Sequence, residues 1–277
     1  MRLSRSAFLI LPMLFSMGAA GVAEGQTLTP HRAVYDLALL EANDDSDIGG
    51  LTGRWVFEFS GSACEGYTLK SRIVMRFEMP DGPNLVDQQV TSFEDAEGKT
   101  LRFVTKSFVD EEMESEVRGT ARLKDGSTVV DYEQPEESEK RFAPTLFPTA
   151  QLRELLGKAE AGERFYQSAI FDGTEFADQA VMVSVVVGDP KPVSDGDPEK
   201  KALGELANDE FRPVTAAYFD GDEAEGEETS DYNVSFKLHE GGVQRDMVIR
   251  YSDYSMTAKL VDLSVFKPEP CEPEKRG

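Results

Sequence analysis

The stretch "YTLKSRIVMRFE" places Tyr67, Leu69, Ile73, Met75 and Phe77 on one parity and Lys70, Arg72, Arg76 and Glu78 on the other. Side chains of an extended strand alternate between two faces, so this order makes one apolar and one charged face that a helical period would scramble. The same division recurs in "EMESEVRGTARL", where Met113, Val117, Ala121 and Leu123 oppose Glu112, Glu114, Glu116, Arg118 and Arg122. In "DYNVSFKLHE" it sets Tyr232, Val234, Phe236 and Leu238 inside and Asp231, Asn233, Lys237 and His239 outside. Strands with one wet face belong to antiparallel sheets. Less regular runs occupy Ala33–Leu40, Gly53–Phe59, Leu85–Phe93, Leu101–Val109, Thr128–Tyr132, Glu163–Phe171, Gln179–Val187, Phe211–Phe219, Val243–Tyr251 and Met256–Phe266. Turn signals such as "PDGPN", "AEGK", "KDGS" and "HEGG" separate most of them, and about a dozen strands in succession predict an all-β, mainly antiparallel fold. An open sheet of this many strands curls, splits or closes on itself. Its inner face would line either a packed core or a cup, and Trp55, Phe57, Phe59, Tyr67 and Phe77 are read as core.

One amphipathic helix interrupts the strands. In "FPTAQLRELLGKAEAG", Leu152, Leu155, Leu156 and Ala159 share a face across Gln151–Ala159, Pro148 marks the start and Gly162 the end. The polar connector "GDPKPVSDGDPEKKALGELANDE" leaves room for a second short helix near Ala202–Asn208. Strand patterning resumes beyond it with the same character, so residues 24–277 are expected to form a single domain.

The first residues, "MRLSRSAFLILPMLFSMGAAGVAEGQT", carry Arg2 and Arg5, an apolar run from Ala7 to Phe15 and small residues suited to cleavage after Ala23. That is the pattern of a secretory signal peptide over residues 1–23. Export makes the two cysteines a pair by default. Cys64 and Cys271 stand 207 positions apart, too far for CxxC redox chemistry or a zinc knuckle. A disulfide pinning the C-terminal tail is therefore expected, with two free thiols as the alternative. In the chain-entropy model a loop of that length stabilises by roughly 5 kcal/mol.

Charge removes whole classes of partner. The chain carries 29 Lys+Arg against 52 Asp+Glu, a net charge of −23, and loss of Arg2 and Arg5 with the leader makes it more negative still. Nucleic acids and anionic lipid surfaces both require clustered basic residues. The acids gather in "DEEMESE", "EQPEESEK" and "DGDEAEGEETSD", which read as solvated loops or outer strand faces. Asp220, Asp222, Glu223 and Glu225 lack the alternation, central Gly and distal Glu of a calcium loop. His31 and His239 read as solvent-exposed or incidental. No nucleophile elbow, HExxH helix, P-loop or dinucleotide fingerprint is present. No catalytic residue, cofactor or metal is assigned, and the chain is read as a non-enzyme.

The segments "PHRAVYDLALL", "TGRWVFEFSGSACEGYTLKSRIVM", "FPTAQLRELL" and "PEPCEP" resemble, in this order, those of the alphaproteobacterial cell envelope integrity protein EipB family, formerly a domain of unknown function. The resemblance runs from Thr29 to Cys271. It implies a periplasmic protein folded as one spiral of antiparallel strands, a β-spiral or open barrel related in shape to the cups of lipoprotein carriers. It also implies a disulfide, which falls on Cys64 and Cys271, and it treats "SDGDPEKK" and "DGDEAEGEETSD" as loop elaborations.

Two functions follow as expectations. The first is a non-enzymatic periplasmic factor supporting envelope integrity through protein partners. The second is a carrier or sensor holding a lipid or lipoprotein acyl chain in the concave face. A cell-wall hydrolase ranks behind both.

Overall fold

A computed structural model describes residues 28–177, 179–220, 229–267 and 271. The expected leader lies outside them, as do Asp222, Glu223 and Glu225, and of Asp220 only the backbone is described. The strands are β1 (His31–Ala42), β2 (Gly50–Ser62), β3 (Gly66–Met79), β4 (Gly82–Glu94), β5 (Thr100–Val109), β6 (Glu112–Lys124), β7 (Ser127–Gln134), β8 (Ser138–Phe142), β9 (Phe165–Ile170), β10 (Val181–Val187), β11 (Lys191–Pro192), β12 (Glu210–Asp220), β13 (Tyr232–His239), β14 (Gln244–Tyr251) and β15 (Tyr254–Val265). Helix α1 (Pro148–Glu160) and the one-turn α2 (Lys200–Leu203), followed by a 3-10 turn at Gly204–Asn208, complete the chain.

All fifteen strands join one sheet, in the order β8-β7-β6-β5-β4-β3-β2-β1-β15-β14-β13-β12-β10-β9, with β11 paired to β12. Every ladder is antiparallel, and β1 joins the first strands to the last by pairing with both β2 and β15. The sheet does not close into a barrel. Its two ends approach where the chain leaving β8 runs beside β9: the Leu146 amide donates to the Ala169 carbonyl at 2.8 Å, and the Phe171 amide donates to the Leu146 carbonyl at 3.0 Å. β8 and β11 escaped the sequence reading because "SEKRF" has three charged residues in a row and a single apolar one, and β11 is two residues long.

The curl creates two apolar clusters. The larger joins α1 (Leu155, Leu156, Ala159) to the inner faces of β1, β2, β10 and β12 to β15. The smaller sits inside β5 to β7, where Phe103, Val130 and Tyr132 meet Phe147 and Phe171. Two glycines make the turn beside the helix, Gly241 against Thr29 and Gly242 against Leu152. Gly241 (φ 76°) and Gly242 (φ 94°) make a turn in the left-handed region, and a Cβ on Gly242 would lie 2.7 Å from Leu152 Cδ2. At these positive φ values a side chain would be strained, which is why glycine occupies both positions.

Three expectations are corrected. His31 is 3% exposed and His239 1%. His31 shares the inward parity of Ala33 and Tyr35 on β1. His239 leaves β13 beyond a register shift at Ser235/Lys237, and the connector bearing Asp197 and Glu199 covers the face expected to be wet. Part of "SDGDPEKK" is therefore a structural plug and not a solvated elaboration. Met113, expected inside, is 55% exposed, because it lies at the hairpin tip past a register shift at Ser107/Phe108.

Candidate functional site

Between α1 and the concave face lies an apolar chamber of about 290 Å3. Its wall on β2 is Trp55, Phe57 and Phe59, inward neighbours by the period-two rule. Val214, Ala216 and Tyr218 of β12, Tyr232, Val234 and Phe236 of β13, and Met247 and Ile249 of β14 make the opposite wall. Leu152 and Leu155 of α1 form the roof. A smaller cavity of about 60 Å3 adjoins it, bounded by His31, Tyr35, Gly242 and the same three aromatics.

Polar tips around the chamber are tied back. Trp55 Nε1 donates to Ser71 Oγ at 2.8 Å, and the Tyr35 hydroxyl donates to the Gln244 carbonyl at 2.7 Å. His31 Nδ1 lies 2.7 Å from the Thr29 carbonyl, and burial lowers its pKa. With these groups engaged, the chamber offers apolar and aromatic surface, which suits an alkyl chain more than a polar substrate.

The roof is fastened by carboxylates that the sequence reading passed over. Phe147, the residue before α1, provides no side-chain cap. Glu94 from the end of β4 replaces it: Oε2 accepts the Thr149 amide at 2.6 Å and Oε1 accepts the Ala150 amide at 2.9 Å. A carboxylate there also meets the positive end of the helix dipole. Burial pushes the Glu94 pKa up by more than these hydrogen bonds pull it down. Farther along α1, Glu154 accepts the Ser168 hydroxyl of β9, and Arg153 lies over the Tyr67 ring, 5.3 Å from its centroid.

A buried ionic cluster closes the fold where the connector docks. Arg245, fully buried, donates from Nη1 to Glu199 Oε2 at 2.9 Å and to Asp197 Oδ2 at 3.0 Å. Glu199 Oε1 accepts the amides of Asp246 at 3.1 Å and Leu260 at 2.7 Å. Lys237 bridges Asp197 and Asp246, and Lys259 also reaches Asp246. The cluster joins β13, β14 and β15 to residues 197–199, which makes it a clasp for the connector. A readable signal existed for Arg245, since it shares parity with Val243, Met247 and Ile249 on an otherwise apolar face.

The structure brings together Trp55, Phe57 and Phe59 of the five aromatics read as core. Tyr67 stacks on Phe59 at 4.8 Å beneath the helix, and Phe77 packs edge-on against Tyr254 at 5.7 Å, away from the chamber lining. Cys64, in the β2–β3 turn, is joined to Cys271 with Cα atoms 5.7 Å apart.

The family model described as EipB-like matches residues 22–267. The cell envelope integrity protein EipB of Brucella abortus (strain 2308) is 49% identical over 250 residues, spanning 90% of this chain and 88% of that protein. A crystal structure of a beta-barrel-like protein of a domain of unknown function, also from Brucella abortus, superposes with a TM-score of 0.84 at 48% identity, over 87% of this chain and 100% of that one.

Proposed function

The chain belongs to the EipB-like family, and from that premise we propose that it supports cell envelope integrity as a non-enzymatic periplasmic protein acting through protein partners. The observation that carries the reading is the 49% identity to a protein named for cell envelope integrity, spread over 90% of this chain. The leader-like "MRLSRSAFLILPMLF" supports export, and among the described residues no helix is long and apolar enough to cross a membrane. A non-enzymatic role is supported by the use of buried ionisable groups as fasteners: Glu94 on α1, Glu199 on Arg245 and on two backbone amides.

The test is complementation. A host lacking the protein should become sensitive to bile salt or detergent, and the full chain should restore resistance while a version starting at Glu24 should not. Equal rescue by the leaderless version would remove the periplasmic reading. Release of soluble glycan from envelope material by the pure protein would replace it with a hydrolase.

A second reading has its own support. The chamber of about 290 Å3 falls just short of the roughly 300–1,000 Å3 usual for ligand pockets, and its lining is mainly apolar. It favours a carrier or sensor for a lipid or lipoprotein acyl chain. Saturable binding of an alkyl probe, followed through Trp55 fluorescence, is the expected result, and repeated absence of binding would leave the partner-docking reading alone.

A further inference from the structure

The cavity of about 60 Å3 beside the chamber is bordered by two polar residues, His31 and Gln244, whose hydrogen-bonding capacity is not used up. His31 spends one ring nitrogen. A carbonyl can only accept, so the 2.7 Å contact with the Thr29 carbonyl is made by a protonated Nδ1. The ring is 3% exposed and burial lowers its pKa, so it stays neutral and its Nε2 carries a lone pair. Gln244 stands opposite Leu238 in the β13–β14 ladder. Opposed residues of an antiparallel pair share a face, so its carboxamide is on the concave side. The register shift that follows, with Asp246 at φ 50°, lets Met247 face inward as well. Among the described residues neither His31 Nε2 nor the Gln244 carboxamide has a hydrogen-bond partner.

We propose that this corner is the head-group end of the chamber, and that the chamber takes an uncharged amphiphile whose alkyl chain ends in a hydroxyl. The proposal rests on the carrier reading and deepens it by naming the end group.

Three observations carry it. Trp55, Phe57, Phe59, Leu152, Gln244 and Met247 border both spaces, which therefore share most of a wall. An alkyl chain against Trp55 and Phe57 brings its end to His31, whose ring centroid is 5.5 Å from that of Phe57. Secondly, no Asp, Glu, Lys or Arg is among the described residues that border either space, so an ionised head would be buried without a counter-charge. A hydroxyl avoids that cost. Thirdly, the two free groups are complementary: the imidazole lone pair can only accept, and the carboxamide can donate. One hydroxyl donates its proton to Nε2 and accepts from the Gln244 amide, which satisfies both. The imidazole is held ready, because the Thr29 amide is itself bonded to the Gly241 carbonyl at 2.9 Å.

Water offers the same pair of bonds and the space has room for it, so the experiment has to separate a hydroxyl on a chain from water alone. The full mature chain is titrated at pH 7.5 with octanol, its isomer methyl heptyl ether and octanoate. Binding is followed through Trp55, the single tryptophan and a neighbour of both spaces. The ether matches octanol atom for atom but has no proton to donate. Octanol is expected to bind at one saturable site about tenfold tighter than the ether, a ratio that corresponds to about 1.4 kcal/mol, and octanoate is expected to bind more weakly than octanol. In His31→Leu and in Gln244→Met the ratio should fall to about threefold or less, with binding of the ether changed by less than about twofold. A nitrogen NMR readout needs no substitution: octanol should move the His31 Nε2 signal upfield and leave that of His239, already bonded to Arg245, in place. If His31→Leu fails to fold, Gln244→Met and this signal decide.

Equal binding of octanol and ether overturns the proposal, assigns the corner to water and leaves the carrier reading standing. A preference that survives both substitutions, an unmoved His31 signal, or tighter binding of octanoate than of octanol also overturns it. Binding of none of the three compounds removes the carrier reading as well.

Discussion

Arg245 Nε donates a hydrogen bond to His239 Nε2 at 2.8 Å, and both side chains are out of contact with solvent. A guanidinium has no lone pair to accept with and stays charged, so His239 must present an unprotonated Nε2 and carry its proton on Nδ1. Protonating it would place a second cation against Arg245 in a desolvated pocket. Burial, then the Arg245 charge, lowers the His239 pKa to about 4, with Asp197 acting in the opposite direction and Lys237 in the same.

Stability should therefore fall in acid. Between pH 6.5 and about 4 the unfolded chain binds a proton at this histidine that the folded chain refuses, so stability is complete above 6.5 and is lost as pH drops toward 4. The loss is on the order of 3 kcal/mol for a shift of this size, and His31, lowered by burial, adds to it in the same direction. In His239→Gln the amide oxygen can still accept from Arg245 while nothing titrates. Melting curves from pH 7.5 to 4.5 should fall less steeply for this variant, and parallel curves would show that His239 is not a source of the acid sensitivity.

Removing the cation should hurt more than removing the pair. Arg245→Met leaves Glu199 with an uncompensated buried charge while Asp197 keeps Lys237, and stranding a buried charge costs about 3–5 kcal/mol in comparable sites. Combined with Glu199→Gln, the loss in urea unfolding should be smaller than the sum of the two single losses. Strict additivity would mean that the two groups do not interact in the folded state.

Glu94→Ala should loosen the roof of the chamber. Two amides at the start of α1 lose their acceptor, at a cost of about 1–3 kcal/mol, and in a domain of this size each kcal/mol lowers the midpoint by about 2–4 °C. The folded Glu94 pKa lies above the ordinary 4.5, so its contribution is greatest in acid and declines as pH rises through the raised value. The gap between wild type and variant should be wider at pH 4.5 than at pH 7.5. A gap that widens with pH would show that the charge, and not the burial, dominates at this cap.

The contrast between these residues and the strands explains what could be read in advance. Alternation in "YTLKSRIVMRFE" reports a one-sided local environment, and it survived because β3 meets neighbours of the same kind on both edges. Helix α1 was legible from Leu152, Leu155, Leu156 and Ala159 for the same reason: its apolar stripe faces one surface. Glu94, Asp197, Glu199 and His239 were not, since each is buried by a segment distant in sequence. Glu94 lies 55 positions from the Thr149 amide, and Glu199 lies 46 from Arg245. Local composition marks such acids as solvated, and only the fold supplies the cation or helix end that makes burying them tolerable. The size of the chamber was equally hidden, because a pattern of inward aromatics is identical for a packed core and for a cup.

The tail gives a chemical prediction. Oxidised protein should show no reactive thiol in denaturant, and stoichiometric thiol would mean that Cys64 and Cys271 are not bonded. Cys271→Ser should still fold, since a sheet of this size buries enough apolar surface by itself. Loss of a few kcal/mol of unfolded-state restraint should lower its midpoint by several degrees. An unchanged midpoint would show that pinning the tail contributes nothing to the domain.

Filling the chamber separates packing from function. Ala216 is buried on β12, and its side chain lines the cavity between Val214 and Tyr218. Ala216→Leu adds three carbons that the space of about 290 Å3 can hold without displacing neighbours. If the void is filled cleanly, apolar contacts are gained and the midpoint should stay level or rise, whereas a change that overpacks costs about 1–3 kcal/mol. Binding of an alkyl probe should weaken at the same time, because the tail and the new side chain compete for one volume. The decisive measurement is then complementation of the host's envelope defect by this stable, filled protein. Full rescue assigns the role to the outer faces and their partners. Loss of rescue without loss of stability assigns it to the chamber, since a mutation that strengthens a fold while removing activity marks space kept open for use.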